Sequence, residues 1–271
     1  MQNYDGIDYR SIDMKKITIL SVVMMISALV FAADFAEIDK MFDDAQFDKA
    51  HAALMTEYNA DKTQASVIWR LGRYYYEIAD KLPTKKETIA KCDEGLAFLK
   101  SYIETSVGEA ADRARVVQWY DVLLSRRGQA KGIKESLDRI PDFFAFADKA
   151  IAICATIPEP YHLKAMIDKE LPVIVGGNKV RMSQNFMKAM EVSPNVIVFM
   201  VDAADGFIGR GWDAAKKAKS GDTFRPAGLS DKEFAKQLLL QAKKIASEKS
   251  DLTDMEKDKM KLADTLLKKV N

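Results

Sequence analysis

The chain has 271 residues, with 41 Lys and Arg against 40 Asp and Glu and a formal net charge of +1 at neutral pH. That balance removes the electrostatic ground for expecting a nucleic acid or an anionic membrane surface as partner. With 30% charged and 48% hydrophobic residues, the composition is that of a soluble, well-packed protein, long enough for one large domain or a solenoid with a continuous core.

The N-terminus reads as a targeting segment. Met14-Lys15-Lys16 precedes an apolar run from Ile17 to Phe31, closed by Ala32-Ala33-Asp34. A basic start, an apolar run of about 15 residues and small residues at its end make a secretory signal peptide, with cleavage expected after Ala32. The run is shorter than the ~20 residues of a membrane span. Residues 1–13 look like an unused upstream start, so 1–32 is set apart and 33–271 is read as a single domain exported to the periplasm or secreted. No Cys near the boundary offers a lipid attachment point. Cys92 and Cys154 both sit inside helical patterns, which favours two buried thiols over a disulfide, although an oxidising destination permits the latter.

The mature chain divides into amphipathic segments separated by short turns, with almost no strand signal. Helices are expected near 34–43, 47–59, 63–81, 84–105, 108–127, 134–156, 159–170, 178–192, 195–217, 230–248 and 252–269. Helical hairpins at a spacing of a few tens of residues predict an all-α solenoid of the tetratricopeptide (TPR) type, capped by its C-terminal helices. Gly177-Asn178-Lys179 opens a helix in which Met182, Phe186 and Ala189 recur at four and three residues before Pro194, the pattern of a TPR second helix. Phe47, Ala50 and Leu54 repeat it more weakly. Ile68, Leu71, Gly72 and Tyr75 follow the first-helix pattern, with glycine at the close crossing. The stretch 219–230 is an extended loop, and Ser230 with Glu233 three residues on predicts a capping box for the helix after it.

Chemistry is sparse. The two histidines, His51 and His162, belong to different repeats and form no metal constellation; His51 is expected at the surface, on the polar side of its helix. Gly206-Phe207-Ile208-Gly209-Arg210-Gly211 follows no strand and has the wrong spacing for a phosphate loop. Asp202 and Asp205 lie one turn apart, a spacing usually found on solvated helix faces. No nucleophile–base arrangement is visible, so neither enzyme nor cofactor nor metal is expected. If Leu71 and Gly72 are packing positions, Trp69, Arg73 and Tyr76 face a groove, and Trp119, Tyr120, Tyr161 and His162 extend it. Such aromatics also suit packing between repeats.

The stretch Val116-Val117-Gln118-Trp119-Tyr120 through Gln129-Ala130-Lys131-Gly132-Ile133, with Pro160-Tyr161-His162, Leu171-Pro172, Gly176-Gly177-Asn178-Lys179 and Glu191-Val192-Ser193-Pro194-Asn195, resembles the T-component family of TRAP transporters. The resemblance implies a periplasmic TPR-like accessory protein that associates with the solute-binding P-component of an importer and helps pass on a small organic or hydrophobic ligand, as a monomer or a homo-oligomer. The alternative is a general cell-envelope TPR scaffold for protein–protein interaction, with no transporter link.

Overall fold

The structure is a computed structural model describing residues 35–270; the signal-peptide reading of 1–32 lies outside them. The described residues form thirteen α-helices and one 3-10 turn, with no strand among them. In chain order the helices are α1 (Phe35–Asp43), α2 (Phe47–Ala60), α3 (Ala65–Lys81), α4 (Lys85–Lys100), α5 (Ala110–Lys131), α6 (Ile133–Asp138) and α7 (Ile140–Ile153). They continue as α8 (Glu159–Glu170), α9 (Lys179–Val192), α10 (Ile197–Arg210), α11 (Ala214–Lys219), α12 (Asp231–Glu248) and α13 (Asp254–Val270). None is long and apolar enough to cross a membrane.

Local chemistry accounts for most of the boundaries. Thr84 accepts from the Glu87 amide at the start of α4, and Asn178 accepts from the Val180 and Arg181 amides at the start of α9. Ser230 and Glu233 form the expected capping box of α12. Two expected helices are each divided. The segment 134–156 breaks at Arg139, because Pro141 lacks the N–H that a continuous helix would direct at the Leu137 carbonyl. The segment 195–217 breaks at Gly211, which turns left-handed (φ 63°) while its N–H still bonds the Phe207 carbonyl at 2.9 Å. Asp213 then caps α11.

The helices pair as hairpins: α1 with α2, α3 with α4, α5 with α7, α8 with α9 and α10 with α12, while α13 covers α10 and α12. Successive hairpins also touch, α3 packing on α5 as well as on α4. A Cβ on Gly72 would lie 2.9 Å from Leu99 and 3.1 Å from the Trp119 Cβ, and one on Gly95 would lie 2.7 Å from the Tyr75 Cβ. Hydrogen at these two positions is what lets α3, α4 and α5 approach so closely. Met182, Phe186 and Ala189 are buried as the repeat pattern demands, and a side chain such as Phe186 stabilises the fold by about 1.5–3 kcal/mol through burial alone.

The core is segmented, as nearest-neighbour packing requires. One apolar cluster spans α1–α3, one α3–α5, one the α5–α7 hairpin, and the largest spans α8–α13. Cys92 and Cys154 belong to different clusters and are free thiols; burial pushes the Cys92 thiol up to about 11. His51 is half-buried rather than a surface residue, because its ring stacks on Tyr74 at 4.1 Å.

Candidate interaction surface

The seven residues expected along a groove are distributed over helix–helix seams. Trp69 is buried, its indole N–H donating to Asp112 at 2.8 Å with the Arg70 guanidinium over its ring. Arg73 turns back onto α1, 2.9 Å from Asp43 and over the Phe42 ring, with Glu77 on its other side. Tyr76 packs on Trp119 across the α3–α5 seam, and Tyr120 packs on Phe146 within the α5–α7 hairpin. Tyr161 is buried, with its hydroxyl donating to the Ala155 carbonyl. His162 meets Asp202 of α10 at 3.0 Å, and Lys259 of α13 pairs with the same carboxylate. Burial works to raise the Asp202 carboxyl, but its bonds with His162 and Lys259 outweigh this and hold it below the ordinary carboxylate range.

A different surface stands open. α5 and α8 make hardly any direct contact, because short α6 lies against α5 and α7 at that point. The gap is a cleft of about 270 Å³ whose walls include Leu137, Ile140, Phe143, Met166, Ile167 and Leu171. One wall is polar: Ser125 and Gln129 line it at a four-residue spacing on α5, so Asp121 falls on the same helix face one turn deeper. Asp121 is fully buried and neither of its oxygens has a hydrogen-bond partner. Burial, reinforced by the charge of Asp142, pushes its carboxyl up to about 8.

Aliphatic side chains continue outward from the cleft. Ile133, one turn before Leu137, is 81% exposed, and Ile174, three residues beyond Leu171, is 93% exposed between the exposed Val173 and Val175. The turn that carries Val173, Ile174 and Val175 is firmly held. Lys179 caps the end of α8 by donating to the carbonyls of Asp168 (2.9 Å) and Lys169 (2.8 Å). Buried Asp168 in turn receives the Asn178 amide and both arms of Arg181, at 2.7 to 2.9 Å. An apolar knob on a fixed base beside an apolar cleft is the kind of contiguous exposed patch that marks an interaction site. Its sequence signal was the unbroken apolar run Leu171–Val175 in a turn, where polar residues are the norm.

Residues 34–166 match the family model described as regulator of microtubule dynamics protein 1-3. No curated protein matches the chain. The match runs from the start of the described helices into α8 and overturns the resemblance to the TRAP T-component family, with which it shares residues 116–166 of the quoted motifs. The physical reason those motifs misled is now visible. Gly132 supplies a positive φ where α5 ends, Asn178 caps α9, and Lys179 caps α8. These are requirements of helical hairpins in general, and they carry no information about a transporter.

Proposed function

We propose that this protein is a non-enzymatic helical-repeat scaffold that docks a partner protein through the α5–α8 cleft and the Val173–Val175 knob. The observation that carries the reading is an apolar cleft edged by Leu171, with exposed aliphatic side chains following directly in the chain on a braced turn. A cleft of about 270 Å³ is smaller than the roughly 300–1,000 Å³ typical of small-molecule sites. It suits one or two apolar side chains of a partner, anchored centrally with the knob as surround. The matching family model is described as a regulator of microtubule dynamics, a role exercised on a protein assembly, which supports a protein partner over a substrate.

The test is a pull-down with the intact chain and with Ile174→Asp. Because Ile174 is almost fully exposed, the substitution leaves thermal unfolding within about 0.5 kcal/mol while the captured partner is lost. Recovery of the same proteins in equal amounts by the variant refutes the reading. A homodimer that Ile174→Asp dissolves would make the partner a second copy of the chain.

A further inference from the structure

The docking surface carries both parts of a joint. The cleft between α5 and α8 is a socket of about 270 Å³ walled by Ile140, Phe143, Met166 and Ile167, with Glu170 as its one charged residue among those described. Ile174 is a plug, almost fully exposed between Val173 and Val175. Plug and socket lie side by side: Ile174 follows the cleft residue Leu171 by three positions, so their Cα atoms are at most about 11 Å apart. The plug also keeps its shape. The Val175 and Gly177 amides donate to the Pro172 carbonyl and the Gly176 amide to the Val173 carbonyl, each at 3.1 Å. Gly176 has φ 97°, and a Cβ on Gly177 would lie 2.1 Å from the Leu171 carbonyl oxygen, so glycine is required at both positions. A side chain held out on such a base loses little freedom when a partner buries it.

A plug beside a socket selects its partner. A surface with only a socket would leave the cleft empty, and one with only a plug would leave Ile174 in water. Both are buried at once by a surface that carries the same two features in reverse order. A second copy, turned about a two-fold axis between plug and socket, presents that order, because an isologous interface sets residue i against j and j against i. Charge does not oppose the meeting. The chain has a net charge of +1, so two copies approach without the repulsion that keeps strongly charged chains apart. The geometry points to a symmetric homodimer, resting on the docking reading of this same surface, in which Ile174 of each protomer fills the α5–α8 cleft of the other. Such an exchange closes on itself: once both plugs are seated, no third copy adds.

The experiment is sedimentation equilibrium of the full chain at concentrations up to about 100 μM, with Ile174→Asp alongside. A wild-type dimer and a monomeric variant are expected. Disulfide trapping then locates the contact: Ile174→Cys and Leu137→Cys chains, differently tagged and both carrying Cys154→Ser, are mixed under a mild oxidant. Disulfides joining the two tags are expected, because Leu137 lines the cleft. A wild type that stays monomeric, a dimer that Ile174→Asp leaves intact, or oligomers that keep growing with concentration each overturn the two-copy proposal. So does an Ile174→Cys chain that joins to itself in preference to Leu137→Cys, which would set plug against plug. The docking reading fails separately: if the wild type is monomeric but the protein captured in the pull-down is still lost with Ile174→Asp, the surface stands and only its occupant changes.

Discussion

At the scale of single residues, two buried carboxylates behave in opposite ways. Asp231 is bonded by both arms of Arg210 and by the Trp212 amide, at 2.7 to 2.8 Å. Asp231→Asn leaves Arg210 and Arg225 facing a neutral group, so unfolding by urea should show a loss of about 3–5 kcal/mol, as for other broken buried ion pairs. Asp121 has no partner to lose. In the folded protein it keeps its proton up to about pH 8, whereas the unfolded chain gives that proton up near the usual carboxylate value of about 4. Between these limits the unfolded state binds fewer protons, so stability falls as pH rises from about 4 to 8. Asp121→Asn should flatten that slope and leave the protein about 1–3 kcal/mol more stable than wild type at pH 8. Parallel urea curves for the two proteins at pH 5 and pH 8, with equal slopes, would refute this account.

At the scale of the helices, close crossings dominate. Gly95→Ala forces a methyl within 3 Å of Tyr75 and Leu123, and the gain in helix propensity does not offset the overpacking. A net loss of about 1–3 kcal/mol is expected in thermal unfolding; a variant as stable as wild type would show that α3 and α4 can part at little cost. Elements of this kind were largely legible in the sequence. Thr84, Asn178 and Ser230 announce helix starts by their own side-chain chemistry, and Met182, Phe186 and Ala189 announce a buried face by spacing. The breaks at Arg139 and Gly211 were not, because the apolar periodicity continues on both sides of each and masks the interruption. For Trp69, Tyr76 and Trp119 the sequence left both a groove and packing between repeats open, and the structure takes the second. α3 touches its own partner helix α4 and both neighbouring hairpins, so residues one step from its packing positions are still inside a seam. The pairing of Arg210 and Asp231 with Asp222 and Arg225 was invisible for another reason: the latter two sit in the stretch 219–230, which reads as an extended loop, and only folding brings them against the helix ends that carry the former.

At the scale of the whole molecule, the apolar core is thinnest at the seam between α7 and α8, and the two sides also adjoin at a polar cleft between α1 and the α12–α13 turn. The large cluster of α8–α13 receives a single upstream contribution, Ile151 of α7, among the described residues. Beyond it the seam carries the Arg181 guanidinium over the Phe144 ring and the pairing of Lys164 with Asp148. Cooperativity in repeat proteins is limited by their weakest nearest-neighbour interface. We therefore expect urea unfolding to proceed in two separable transitions. Trp69 and Trp119 report on the first unit and Trp212 on the second, so fluorescence of Trp212→Phe against wild type assigns them. Coincident midpoints for all three indoles would show one cooperative body.

The same seam has a consequence for how such a chain changes over generations. The match to the family model ends at residue 166, inside the first helix beyond it. Because little apolar core crosses that seam, one half can stay under strict inheritance while the other drifts, is replaced or acquires a new ligand, provided the seam residues and those where α1 faces the α12–α13 turn are kept. Recombinants that join residues 35–156 to the second half of a distant relative would then remain folded, with Ile151, Phe144 and Asp148 as the toll at the crossing.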